Sequence, residues 1–184
     1  MSIVKALLIV DAQNDFFPGG SYPVPSGDEV IKPLNYALEF GRKHGWKLYA
    51  SRDWHPKSGF KDMSKAHCVQ ETKGAKYHPL LEIRDDVEII SKGEDLSKAN
   101  YSAFNGDDKS LKEIMDKEKI EEIYIGGLAL EYCVKATAID SARFGFKTFV
   151  FEDAVRHINE DKAKSAIGEL KQAGITFIRT TDLK

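Results

Sequence analysis

Ala6-Leu7-Leu8-Ile9-Val10 is apolar at every position and is closed by the charged Asp11. A half-buried strand would alternate apolar and polar residues, and an exposed helix would keep a polar stripe. An unbroken apolar run ending at a carboxylate describes a strand buried on both faces, as in a parallel sheet covered by helices. The pattern repeats outward from this stretch. Short β-rich apolar runs occur at residues 47–51, 87–90, 122–125, 147–151 and 176–179. Helical periodicity fills the intervals at 30–43, where Leu34, Leu38 and Gly41 share a stripe, and at 111–117, 133–144 and 162–173, the last ended by Gly174. Alternation of this kind predicts an α/β fold of three layers, α/β/α, around a six-stranded, mostly parallel, Rossmann-like sheet.

The composition narrows the class of protein. At 184 residues and about 150 residues per domain, the chain reads as a single domain over 1–184 that buries roughly 70% of its unfolded surface. Lys plus Arg number 27 and Asp plus Glu 29, a net charge of -2. That leaves no basic excess for a nucleic-acid partner. The apolar run near the N-terminus is too short for a signal-peptide core or a membrane span, so no membrane partner is expected and the predicted location is cytoplasmic. Cys68 and Cys133 are the only two cysteines and form no Cys-x-x-Cys pair. Free thiols in a reducing compartment follow.

In an open parallel sheet, ligands bind outside the carboxyl ends of the strands. Four of those ends carry reactive groups: Asp11 after Val10, Asp53 and His55 after Ser51, Lys92 after Ser91, and Cys133 beyond Gly126 and Gly127 at the start of a helix. Each has an ordinary alternative, since a strand-end Asp often caps a turn, an exposed Lys is usually solvated and an isolated Cys is usually a small buried hydrophobe. Together they make a coherent set. The first turn of a helix and the Lys92 ammonium would both lower the pKa of the Cys133 thiol, and Asp11 would move protons. The Gly126-Gly127-Leu128-Ala129 stretch reads as a turn that brings backbone close to a ligand, with N–H groups there and at Cys133 holding an oxyanion. The reaction class is acyl transfer through a thioester. No Walker loop, G-x-G-x-x-G or G-x-S-x-G is present, and Ile139 stands where a Cys-based phosphatase needs Arg.

The second set is metal-like. In an extended Asp53-Trp54-His55 segment, alternation aims Asp53 and His55 to one side, and His67 follows in the same long loop. One carboxylate and two imidazoles, with water completing the shell, suit a catalytic Zn²⁺, Fe²⁺ or Mn²⁺. His44, His78 and His157 read as loop or surface residues, and Cys68 as a packed thiol.

These residues fall within five ordered motifs: Ile9-Val10-Asp11-Ala12-Gln13-Asn14-Asp15-Phe16 with Pro18-Gly19-Gly20; Ser51-Arg52-Asp53-Trp54-His55-Pro56; His67-Cys68-Val69-Gln70 with Gly74-Ala75; Lys92-Gly93 with Tyr101-Ser102-Ala103-Phe104; and Gly127-Leu128-Ala129-Leu130-Glu131-Tyr132-Cys133-Val134. The chain thereby resembles the nicotinamidase/pyrazinamidase branch of the isochorismatase-like cysteine hydrolases along nearly its whole length. The resemblance implies a metal-assisted amidohydrolase that deamidates nicotinamide to nicotinate and ammonia in NAD salvage, and pyrazinamide as well. It implies Asp11, Lys92 and Cys133 as the catalytic triad and Asp53, His55 and His67 as ligands of one divalent metal, zinc first, with iron or manganese as alternatives. A cis peptide before Ala129, an oxyanion hole from the N–H groups of Ala129 and Cys133, and a substrate pocket walled by Phe16, Tyr101 and Leu128 are also implied. The partner is the small-molecule substrate nicotinamide, and a homo-oligomer is compatible with it.

The chain departs from the family pattern at particular positions. The run Asp53 to Phe60 is shortened and lacks an additional His that some members use as ligand. Ser64-Lys65 replaces a frequent Trp-Pro, so an aromatic wall of the pocket is expected to be missing or supplied from elsewhere. Leu130 stands for a frequent Thr and Glu71 for a frequent Gly. The rival readings are another amide or ureide hydrolase or an isochorismatase-type enzyme, which would keep the triad without the metal, and a catalytically silent scaffold.

Overall fold

The computed structural model describes residues 3–58, 60 and 65–184. Its six strands are β1 (Lys5–Val10), β2 (Lys47–Asp53), β3 (Glu88–Lys92), β4 (Glu122–Leu128), β5 (Lys147–Arg156) and β6 (Thr176–Ile178), paired in the order β3-β2-β1-β4-β5-β6. Every pairing is parallel. The helices are α1 (Ile31–Lys43), α2 (Leu111–Lys117), α3 (Lys135–Arg143) and α4 (Glu160–Gln172). The expected α/β sheet is therefore present. Chain order along the sheet reverses at β1, which places the topological switch point, and the ligand crevice, at the carboxyl ends of β1 and its neighbours.

β1 explains the two-sided core. Ala6, Leu8 and Val10 point into a layer with Leu111 and Met115 of α2, Ala138 of α3 and Leu170 of α4. Leu7 and Ile9 point the other way, onto Leu34 and Leu38 of α1 and Phe151 of β5. Because successive side chains alternate faces and both faces are covered, no position of Ala6 to Val10 is exposed. Truncating one of its leucines to Ala would cost about 2–5 kcal/mol.

The strands run further than their apolar runs. Asp53 pairs in register with Lys92 and Val10 with Gly127, so ladder pairing carries β2, β3 and β4 through the polar positions that end each apolar run. The expected turn at Gly126-Gly127-Leu128-Ala129 is corrected accordingly: Gly126 to Leu128 belong to β4. Gly127 has φ +134°, and a Cβ there would sit 2.0 Å from the Val10 carbonyl oxygen. The close approach its missing side chain permits is to β1, not to a ligand. β5 continues past Phe151 through a register shift, with Ile125 facing Val150 but Gly127 facing Val155. The polar Glu152 and Asp153 hide this extension from the apolar pattern.

Two helix starts also move. α4 begins at Glu160 because the Asn159 side chain caps it, accepting from Lys162 N–H at 2.9 Å. The helix expected at 133–144 is preceded by a π-helical turn, Leu130–Val134, in which the Ala129 carbonyl accepts from Tyr132 N–H at 3.1 Å and Val134 N–H at 3.2 Å. Cys133 therefore lies inside a widened opening turn. Among the described residues no helix is long and apolar enough to cross a membrane.

Candidate active site

The carboxyl ends of β1, β2 and β3 bring three charged side chains together under the opening turn that holds Cys133. Lys92 has no exposure, and its Nζ lies 2.9 Å from Asp11 Oδ2, 2.5 Å from Asp53 Oδ1 and 3.7 Å from Cys133 Sγ. It also donates to the Asn100 carbonyl oxygen at 3.3 Å. Register dictates much of this. Asp53 and Lys92 are directly opposed on neighbouring strands, so their side chains stand on one face. Asp11 holds φ 45° at the end of β1, and its Oδ1 accepts from Ser51 Oγ at 2.7 Å. Its Oδ2 pairs with Lys92, and the carboxyl lies within hydrogen-bonding reach of the Cys133 thiol. Ligand atoms of Asp11, Asp53 and Cys133 lie within 4.8 Å of one another.

The electrostatics differ from the sequence expectation at one point. Burial pushes the Cys133 thiol well above its usual range, with Asp11 and Asp53 adding to the rise and Lys92 opposing it. Desolvation and the two carboxylates outweigh the opposing pull of Lys92. Burial likewise raises the Asp11 carboxyl against the pull of Lys92. For Lys92, burial works against the charge, but Asp11, Asp53 and Cys133 together hold it well above the ordinary lysine value. A thiol held high beside a carboxyl of raised basicity is an arrangement suited to proton transfer between the two.

Asp53 joins this cluster to the second set. Its Oδ1 faces Lys92, while its Oδ2 lies 3.8 Å from His55 Nε2 and 3.9 Å from His67 Nε2. His55 Nδ1 bonds the Gly93 carbonyl at 2.6 Å, and His67 Nδ1 bonds the Lys65 carbonyl at 2.7 Å. With Nδ1 turned to a backbone carbonyl, Nε2 is the ring atom each histidine presents to the carboxylate. One carboxylate oxygen and two imidazole nitrogens thus converge within 4.8 Å of one another, a donor set that fits a divalent cation. Gly93, at φ +87°, is required here, because a Cβ would come within 2.6 Å of the His55 ring. His67 is packed by Phe16 at 5.6 Å, Tyr22 at 5.3 Å and the His55 ring at 4.9 Å between centroids. Cys68, fully buried and free, is not part of this donor group. His44 stacks on Phe40 and His78 packs on Phe17, away from the cluster, while His157 lines a separate cavity with Glu152 and Arg156.

A cavity of about 300 Å³ opens between the two sets, lined by Phe16, Tyr22, Asp53, His67, Tyr101, Ala129, Tyr132, Cys133 and Ile158 among others. Phe16 and Tyr101 are among its lining residues. Leu128 does not line it: its side chain is fully buried in the α1 layer, near Gly27. The peptide bond between Leu128 and Ala129 is cis, and Ala129 lines the cavity with Cys133. The replacement at Ser64, and part of the shortened run before Phe60, lie outside the described residues. Tyr22 was not singled out in the sequence, although it sits in the Gly/Pro/Ser-rich loop after Phe16; it supplies an aromatic face beside His67. Ile158 carried no sequence signal. It is held in place by Glu131 Oε1, which accepts from Ile158 N–H at 2.9 Å and Asn159 N–H at 2.8 Å.

The Isochorismatase domain profile matches residues 5–182. The nicotinamidase of Escherichia coli (strain K12) is 33% identical over 204 aligned residues, covering 97% of this chain and 96% of the relative. The crystal structure of a pyrazinamidase of Pyrococcus horikoshii in complex with zinc superposes with a TM-score of 0.88 at 37% identity, covering 95% of this chain and 98% of the other. The yeast nicotinamidase bound to the inhibitor nicotinaldehyde gives 0.78 at 30% identity, over 96% of this chain and 100% of that one. By sequence, fold and full-length likeness, the chain belongs to the isochorismatase domain family, in its nicotinamidase/pyrazinamidase branch.

Proposed function

We propose that the protein is an amidohydrolase of the nicotinamidase type, hydrolysing nicotinamide to nicotinate and ammonia within NAD salvage, and accepting pyrazinamide. The observation that carries this reading is the contact of Lys92 with Asp11, Asp53 and Cys133 beside an acceptor trio of Asp53, His55 and His67 at one cavity. A scaffold has no need of a buried ammonium between two carboxylates, which is costly to desolvate. A metal-free amidase has no need of the second histidine. Nicotinamidase and pyrazinamidase relatives at 30% identity or more, one of them in complex with zinc, favour this over the other hydrolases of the family.

In the proposed mechanism Asp11 takes the Cys133 thiol proton as the sulfur attacks the amide carbonyl carbon. The backbone N–H groups of Ala129 and Cys133 stabilise the developing oxyanion. Asp11 returns the proton to the amide nitrogen, the C–N bond breaks, ammonia leaves and a thioester remains on Cys133. Asp11 then accepts a proton from water as its oxygen attacks the thioester. The sulfur departs and is reprotonated, and the carboxylic acid is released. Lys92 balances the negative charge that moves between Asp11 and Cys133. Phe16, Tyr22 and Tyr101 enclose the aromatic ring. Asp53, His55 and His67 would hold one divalent ion, zinc in our reading, which when bound would supply a Lewis acid able to orient the substrate.

The test is ammonia release from nicotinamide by the purified protein, beside Cys133→Ala and a chelated sample with Zn²⁺ restored. We expect release by wild type, a loss of at least about 10⁴-fold in the variant, and chelation loss reversed by metal. No release from metal-loaded wild type would overturn the substrate assignment.

A further inference from the structure

Asp15 lies at the edge of the site, is not in the triad, touches no reacting atom, and is nevertheless 92% removed from solvent by its 8% exposure. Its Oδ2 accepts from Cys68 N–H at 2.7 Å, and its Oδ1 from Ser21 N–H at 3.1 Å. Its own carbonyl accepts from Tyr22 N–H at 2.8 Å, and its N–H donates to the Gly74 carbonyl at 3.1 Å. Cys68 follows His67 directly and holds φ 47°, a left-handed conformation that a residue with a side chain adopts only when its surroundings enforce it. The Cys68 carbonyl accepts from His55 N–H at 3.1 Å. The Cys68 peptide unit therefore stands between both histidines, and the Asp15 carboxylate grips it from below. Gly74 closes the carboxylate in, since a Cβ there would sit 2.1 Å from Asp15 Oδ2.

We infer that Asp15 is a positioning residue for the metal site: by bonding Cys68 N–H its carboxylate sets the backbone from which His67 and His55 present Nε2, and by bonding Ser21 N–H it fixes the residue that precedes Tyr22, whose ring packs on His67. This rests on the reading of Asp53, His55 and His67 as ligands. A carboxylate is the required group because two backbone donors reach it from different segments, and a charged acceptor makes each bond stronger than a neutral one would. Asn at this position keeps the size but turns an N–H₂ group toward one of those two donors, so one bond is lost and the turn at Cys68 relaxes. Partners outside the ligand sphere of this kind typically control metal affinity by about 10–100-fold.

The experiment is the Zn²⁺ dissociation constant, measured by competition with a chromophoric chelator at 25 °C on folded metal-free protein, for wild type, Asp15→Asn and Leu170→Ala. Leu170 packs in the opposite core layer and makes the Leu170→Ala variant a control for general destabilisation. The expected result is one tight site in wild type, weakening of about 10–100-fold in Asp15→Asn and no change in Leu170→Ala. Equal affinity in wild type and Asp15→Asn, or equal weakening in both variants, overturns the positioning role while leaving the ligand assignment standing. Absence of a tight site in wild type overturns the ligand assignment and this inference with it. If Asp15→Asn does not fold, Gly74→Ala, which crowds the carboxylate without removing it, is judged by the same criterion.

Discussion

Asp11 and Asp15 are separated by three residues, are both buried, and do opposite jobs. Asp15 is surrounded by backbone N–H groups from two other segments, so its charge is satisfied by dipoles that have nowhere else to turn. Asp11 faces an ammonium, a hydroxyl, a thiol and a second carboxylate, and burial leaves its carboxyl less acidic than usual. One carboxylate holds the chain in shape; the other is kept in an environment that makes it ready to accept a proton. The difference teaches that burial alone does not mark a functional acid. What surrounds the oxygen does: fixed donors make a brace, and mobile protons make a base.

The comparison breaks most sharply at Asp11. Asp11→Asn should lower kcat by roughly 10²–10⁴-fold, yet leave the melting temperature equal to or above that of wild type, because a neutral amide removes a charge that burial disfavours while Lys92 keeps Asp53. A large loss of melting temperature would show that Asp11 braces the fold as well. Asp15→Asn should do the reverse in denaturant unfolding of the metal-free protein, losing about 1–3 kcal/mol of stability for a buried donor left unpaired. Unchanged stability would mean that water or a neighbour replaces the carboxylate. The smallest effect is expected at Cys68, the second buried thiol. Burial raises its pKa strongly, it lies outside the metal donor group, and its N–H and C=O make the bonds that matter. Cys68→Ala should keep turnover within about twofold and cost on the order of 1 kcal/mol, and a larger loss of turnover would bring its side chain into the site.

The apolar centres of the strands were legible because both faces are covered, which removes the polar positions that would otherwise confuse strand with loop. Their ends were not. Asp53, Lys92 and Gly127 lie in ladder register beyond the last apolar residue, and pairing with a neighbour strand is a property of two segments rather than one. The residues proposed for the metal and the triad were legible as groups at strand ends and through family motifs, whereas the environment of Cys133 was not. A sequence shows which charges are near in the chain, but the balance among burial, Lys92 and two carboxylates is set by the assembled sheet. Tyr22 and Ile158 escaped notice for the same reason, reaching the cavity from segments anchored by Asp15 and Glu131. Leu128, adjacent to the site in sequence, turned its side chain into the core.

Lys92 reaches the site from β3, one of the two border strands of the sheet, which among the described residues has β2 as its one ladder neighbour. A border strand can peel from its neighbour at far less cost than the sheet as a whole can open. When it does, the ammonium leaves with it, and Asp11 and Asp53 are stranded as two like charges beneath an intact core. Loss of turnover ahead of loss of far-UV circular dichroism in rising urea is the expected outcome, and coincident transitions would show that β3 opens only with the rest of the sheet.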